Sequence, residues 1–202
     1  MTRGESVLET ERLLLRELVP EDLDALSAIY ADPEVRRFFP EGTLTTDETR
    51  EELEWIIDVY YGRYGYGLWA TILKETDAFI GRCGLLPWRV LTPGTDVLAL
   101  DAADAVPDAT ARYEVEVAYL LARSYWGRGL ATEAARSIVH HGFERMDVPR
   151  LIGLIEPGNL ASRRVAERAG LAVEGEVALD GETLPLYSIA RPRDRHFSSR
   201  FG

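Results

Sequence analysis

The sequence has a single cysteine, Cys83, and a single lysine, Lys74. One thiol cannot close a disulfide within the chain, so a reducing, cytoplasmic setting is expected. No stretch approaches the roughly 20 consecutive apolar residues of a bilayer-spanning helix, so no membrane partner is expected. Met1 to Arg12 carries Glu5, Glu9 and Glu11 and lacks the apolar segment of a secretory signal. Positive charge is also short: 23 basic residues face 34 acidic ones, a formal net charge of −11. Such a chain repels the phosphate backbone, which excludes nucleic acid as an expected partner. It favours a cationic partner, whereas an anionic ligand needs a local site of its own. No internal repeat or low-complexity linker divides the sequence. Its 202 residues, 46% hydrophobic, suit one domain with a sizeable core and rule out global disorder.

The periodicity predicts a mixed α/β domain in the order β-α-α-β-β-β-α-β-α-β-β. A first strand spans Arg12–Glu17. Pro20, Glu21 and Asp22 then open a helix whose apolar face is Leu23, Leu26, Ile29 and Tyr30. A second helix runs from Thr46 to Tyr61. Strands Leu68–Leu73 and Phe79–Leu85 follow, joined by the polar connection 74–77. Residues 89–111 hold Asp96, Asp101, Asp104 and Asp108 and read as a long acidic surface loop. Beyond it, Tyr113–Leu121 alternates, with Glu114 and Glu116 on one side and Tyr113, Val115, Val117 and Tyr119 on the other. A glycine turn leads into a helix from Leu130 to Met146. Then come a strand at 151–155, a helix at 160–169 closed by Gly170, and a hairpin around Asp180-Gly181. Arg191–Gly202 reads as a polar tail.

The most informative run is Tyr125-Trp126-Gly127-Arg128-Gly129-Leu130-Ala131-Thr132-Glu133-Ala134. Glycines between a strand and a helix N-terminus let backbone N–H groups converge on an anion, or they simply make a tight turn. Neither the dinucleotide fingerprint nor a P-loop fits, because Thr132 stands at the third glycine position and no Gly-Lys-Ser/Thr follows.

Together with Glu116-Val117-Ala118-Tyr119, this run resembles the acetyl-CoA signature of the Gcn5-related N-acetyltransferase (GNAT) superfamily. Thr10-Glu11-Arg12-Leu13-Leu14-Leu15-Arg16, Asp32-Pro33-Glu34-Val35, Phe79-Ile80-Gly81-Arg82-Cys83-Gly84-Leu85 and Asn159-Leu160-Ala161-Ser162-Arg163-Arg164-Val165 resemble its ribosomal-protein N-acetyltransferase-like branch. The resemblance implies one acyl-CoA N-acyltransferase domain over roughly 8–190, with 89–111 as an insertion and 191–202 as a tail. It implies acetyl transfer from acetyl-CoA to a primary amine by direct attack. The amine would be a protein N-terminus or a small molecule such as an aminoglycoside, a polyamine or an amino acid. The alternative is a non-catalytic acyl-CoA-binding or regulatory domain. A monomer or homodimer is expected, with no metal.

By the same resemblance, Gly127, Arg128, Gly129, Leu130, Ala131 and Thr132 hold the pyrophosphate, with Trp126 standing where the family motif has Gln or Arg. Arg123, Arg128 and Arg163 lie near enough in sequence to add positive field. Tyr119, Leu120 and Leu121 pair with the pantetheine, and Asn159 binds its arm while also suiting a helix N-cap. A protonated amine has no lone pair, so transfer needs a base. Glu116 is the candidate, unless it and Glu114 form a solvated strand face. Leu154 stands where some relatives carry a glutamate. Ala166 stands at the usual general-acid tyrosine, which leaves Ser162 as a substitute acid or a plain first-turn residue. Cys83 is expected in the core, and His140 and His141 lie away from the thioester. Phe38, Phe39, Tyr60, Tyr61, Tyr64, Trp69 and Trp88 divide between core and acceptor groove.

Overall fold

The computed structural model describes residues 4–92, 97–99, 112–179 and 182–192. Strands β1 (Ser6–Glu9), β2 (Leu13–Glu17), β3 (Leu68–Leu73), β4 (Ala78–Thr92), β5 (Val97–Ala99), β6 (Arg112–Leu121), β7 (Arg150–Leu154), β8 (Ala172–Leu179) and β9 (Glu182–Ala190) join in one mostly antiparallel sheet. Helices α1 (Leu23–Tyr30), α2 (Thr46–Trp55), α3 (Leu130–Arg145) and α4 (Leu160–Ala169) cover it. α2 opens on a Thr45–Glu48 capping box and continues in π form over Ile56–Tyr64, to a left-handed Gly65. No helix among the described residues is long and apolar enough to cross a membrane.

Strands β1 and β5 were not expected. β1 is four residues long and is defined by its antiparallel pairing with β2, Ser6 opposite Arg16. β4 runs on through the first residues of the expected loop to Thr92, and β5 turns back along it with Arg89 opposite Ala99. Pro87 does not interrupt β4, because Leu85 N–H donates to Gly67 and puts the odd-numbered amides on the β3 side. Pairing with β3 has ended before residue 87, so no ladder bond is lost there. The rest of the acidic segment (93–96 and 100–111), the Asp180-Gly181 turn and residues 193–202 of the expected tail lie outside the described residues. Arg191, the first residue of that tail, is held: its guanidinium donates to the Phe143 and Met146 carbonyls and its amide to Pro149.

Two apolar layers sandwich the sheet. On one face Leu13, Leu15, Ile80, Leu85, Val115 and Val117 pack against Leu130, Ala134, Ala135 and Ile138 of α3. On the other, Ile72, Ala70 and Leu120 meet Leu26, Ile29 and Tyr30 of α1 and Leu53 of α2. Strands β4, β5, β8, β9, β7 and β6 also pair in a closed ring. Trp88, Ile152, Val177, Leu184 and Leu186 form its small core.

Candidate active site

The site is built where β6 and β7 part. Their parallel pairing has one register pair, Glu116 opposite Ile152, after which the strands separate. β7 continues on β9, where Arg191 N–H to Pro149 sets the alternation and turns the Leu154 amide toward β6. An unbroken ladder would give that amide to the Val117 carbonyl. Instead it donates to Glu116 Oε1 at 3.0 Å. Trp88 Nε1–H donates to Glu116 Oε2 at 2.7 Å. The carboxylate therefore sits at the vertex of a fork, 9% exposed. Burial pushes its carboxyl up to about 7, against the opposing pull of the Leu154 and Trp88 donors and the Arg82 charge. Glu114 is buried as well, gripped by Arg150 at 2.9 and 3.0 Å. The face carrying both glutamates is thus closed rather than solvated, because β4, β7 and the β8–β9 hairpin fold over it.

Register also decides which amides the fork can use. Ala122 N–H donates to Ile80 at 2.8 Å, and the β4–β6 register runs unbroken from Gly81–Leu121 to Val90–Arg112. The amides of Glu116, Ala118 and Leu120 therefore point at β4, and those of Val117, Tyr119 and Leu121 at the β7 side, where Val117 is still within the pairing and Tyr119 and Leu121 point into the fork. Leu120, expected among the pantetheine partners, is turned the other way by its pairing with Arg82. Trp126 Nε1–H takes the Leu121 carbonyl at 2.7 Å, leaving the Leu121 N–H directed at the opening.

Past the fork the glycine turn reaches α3. Gly127 and Gly129 have φ of 73° and 78°, a left-handed backbone that costs glycine no Cβ clash. No side chain caps α3, so its leading amides at Leu130, Ala131 and Thr132 end on an open, dipole-positive N-terminus. α4, by contrast, is capped: Asn159 Oδ1 accepts from Ser162 N–H at 3.0 Å. Tyr119 bridges to this helix, its hydroxyl donating to the Ser162 carbonyl at 2.7 Å. Among the arginines expected to supply field, Arg128 lies over the Tyr125 ring, Arg123 pairs with Asp32 at 3.4 Å, and Arg163 Nε–H donates to the Tyr187 hydroxyl.

Three contacts join residues too far apart in sequence for a local pattern to show them. Trp88 holds Glu116. The buried Arg82 and Tyr30 and the half-buried Glu52 form a polar cluster between β4, α1 and α2, with Arg82 donating to the Tyr30 hydroxyl and Tyr30 to Glu52 at 2.6 Å. An arginine in the otherwise apolar Phe79–Leu85 run was the available clue. Arg12 reaches the glycine turn: Nη1–H donates to the Arg128 carbonyl at 3.0 Å and Nε–H to Glu133 Oε2 at 2.7 Å. Ala166 is buried in α4, Cys83 in the sheet, where burial pushes its thiol up to about 11. His140 pairs with Glu144, and His141 lies edge-on to Trp69, both remote from the fork on α3.

The chain matches the family described as acetyltransferase (GNAT) domain over residues 12–172. It belongs to the GNAT acetyltransferase family. The uncharacterized protein YkkB of Bacillus subtilis is 32% identical over 165 residues, covering 81% of this chain and 84% of that protein. The crystal structure of an acetyltransferase from Agrobacterium tumefaciens is 27% identical, with a TM-score of 0.68 over 94% of this chain and 96% of that one. RimL, a ribosomal L7/L12 alpha-N-protein acetyltransferase solved with coenzyme A, shares the fold at 18% identity, with a TM-score of 0.66 over 92% and 98% of the two chains. In this GNAT chain the residues fit the cosubstrate: the fork offers unpaired strand edge to a pantetheine amide, and the uncapped α3 offers donors to a pyrophosphate.

Proposed function

We propose that this chain transfers the acetyl group of acetyl-CoA to a primary amine, with Glu116 as general base. The carrying observation is the position of Glu116: a carboxyl raised to about 7, held at the fork vertex three residues before the first free strand amide. A base of that pKa is ionised in a large fraction at neutral pH and still strong enough to take a proton from an ammonium, directly or through a water. The cosubstrate supplies an activated acetyl group. The chain binds it through Gly127 to Thr132, through the Tyr119 and Leu121 backbone and through Asn159, whose side-chain nitrogen is left over from capping. The Tyr119 N–H takes the negative charge that develops on the thioester oxygen, and the Leu121 N–H, two residues further along the same edge, is left to pair with the pantetheine.

No residue need form a covalent bond to the acetyl group. A thiol of ordinary pKa ~8.5 leaves without a strong acid, so Ser162 is at most an auxiliary proton donor. The acceptor remains a class: the terminal amine of a protein, or a small cationic molecule drawn by the net charge of −11.

The test is thiol release from acetyl-CoA with a panel of peptides, polyamines, aminoglycosides and amino acids, comparing the unaltered chain with Glu116→Gln. Turnover on one class, lost by 10²- to 10⁴-fold in the variant, is expected. CoA binding with no turnover on any amine would favour a non-catalytic acyl-CoA-binding domain.

A further inference from the structure

We infer that Arg12 is a positioning residue for the pyrophosphate turn, acting on the direction of one backbone amide rather than as a charge. The inference rests on the cosubstrate assignment proposed above. Arg12 lies on the hairpin between β1 and β2, more than a hundred residues from the turn in sequence. Its guanidinium divides between two partners. Nε–H and Nη2–H face Glu133 Oε2 at 2.7 and 2.6 Å, and Nη1–H donates to the Arg128 carbonyl at 3.0 Å.

The Arg128 carbonyl and the Gly129 N–H belong to one trans peptide unit, so they point in opposite directions. Fixing the carbonyl on Arg12 aims the Gly129 N–H away from Arg12, alongside the uncapped amides of Leu130, Ala131 and Thr132. This peptide is the one most in need of a latch. Its rotation turns on ψ of Arg128 and φ of Gly129, and Gly129, held at a φ of 78°, passes readily between positive and negative φ. A flipped peptide would present a carbonyl oxygen to the phosphate instead of a donor. The opposite face of Gly129 is already set against Arg12, since a Cβ built there meets Nη2 at 3.6 Å.

Glu133 explains why an arginine does this. It accepts from the Thr10 hydroxyl, the Arg12 backbone amide and the Arg12 side chain. Burial works to raise its carboxyl, but these donors outweigh it and hold it below the usual carboxylate range. The ion pair cancels the Arg12 charge locally, so little net field is left to act on phosphate. The fork of donors is what remains. It spans a carboxylate and a carbonyl at once, a geometry that a lysine point charge lacks.

The experiment compares Arg12→Ala and Arg12→Lys with the unaltered chain. Calorimetric titration gives the Kd of CoA, and turnover is measured with acetyl-CoA and with acetyl-pantetheine, a donor that has no pyrophosphate. In both variants we expect CoA binding and the acetyl-CoA KM to weaken about ten-fold, with kcat held. On acetyl-pantetheine, kcat/KM stays within about two-fold of the unaltered chain. Equal losses on the two donors would overturn the assignment, since they mean a general structural defect. So would recovery of the original Kd by lysine, which keeps the Glu133 pair but cannot fork to the carbonyl. A chain that binds CoA and yet shows no Kd change in either variant refutes the role of Arg12 alone. An unaltered chain that binds no CoA takes down the cosubstrate assignment with it. Thr10 and the residue-12 amide still satisfy Glu133 in Arg12→Ala, so the α3 start keeps its contacts and the variant remains measurable.

Discussion

Glu116→Gln removes a charge that the fold holds against the solvation it gives up. The Glu116 carboxyl rises from an ordinary 4.5 to about 7, a shift worth about 3 kcal/mol. The folded protein therefore binds this proton more tightly than the unfolded chain does. The resulting stability is fully present below about pH 4.5 and is lost as pH climbs through about 7. Glutamine does not titrate, so it escapes that loss. It carries a different cost: both Glu116 oxygens accept N–H bonds, from Trp88 and Leu154, and an amide can offer only one oxygen. One buried N–H is left facing an NH2 group, at about 1–3 kcal/mol independent of pH. At pH 5 the variant should be the less stable protein by that amount. By pH 8 the gap should close or invert, the two curves converging by about 3 kcal/mol in total. Urea unfolding followed by tryptophan fluorescence at half-unit steps across this range measures it. Parallel curves would refute a buried, proton-holding carboxyl, and with it the poised base.

On the proposed role of Glu116 as base, the same carboxyl sets the rate. In the unaltered chain kcat/KM should rise with pH through an inflection near 7, below the separate limb of the amine itself. That lower limb should vanish in Glu116→Gln.

Three further substitutions probe what surrounds the fork. Trp88→Phe deletes a donor to the carboxylate, so the inflection should move to higher pH; an unchanged or lower value counts against the contact. Arg82→Met takes the guanidinium from the buried Tyr30 hydroxyl while Glu52 keeps Arg36, and should cost about 1–3 kcal/mol in chemical unfolding, an unaltered stability being the contrary result. Gly81→Ala places a Cβ 2.2 Å from the Leu120 carbonyl at a φ of 151°. It should cost about 3 kcal/mol or more, and soluble protein of unaltered stability would show that β4 and β6 have room to part.

How much of this was legible in the sequence depends on the range over which each feature is decided. Alternation in Tyr113–Leu121 is a local property, and it put Glu114 and Glu116 on one face, where the structure has them. The two glycines before Leu130 likewise announced a turn whose backbone is left-handed at both. What covers the glutamate face was not local. Trp88, Ile152, Val177 and Leu184 arrive from four different strands, so a face that alternation alone leaves open between site and solvent is buried. β1 and β5 are too short for periodicity to speak, and each exists because a neighbour's edge pairs with it. The Arg12 contact is readable only once the first hairpin and α3 lie side by side.

A strand imposes two alternations at once, and together they explain the layout of the fork. Side chains alternate above and below the sheet, while backbone amides alternate between the left and right neighbours. A residue that sends its amide to β4 cannot also send it to the fork. Glu116 has its amide on β4 and uses its side chain at the vertex. The donors that face the opening must then lie an odd number of residues away, as Tyr119 and Leu121 do and Leu120 does not. Which parity faces which neighbour is set by the Ala122–Ile80 bond, between residues 42 positions apart in sequence. A buried carboxyl and backbone donors aimed at the opening can thus sit on one strand without competing for the same backbone groups, which is what the proposed base and its oxyanion donor require. Their spacing along the chain is fixed by the pleat, while their identity as a pair waits on the register with β4.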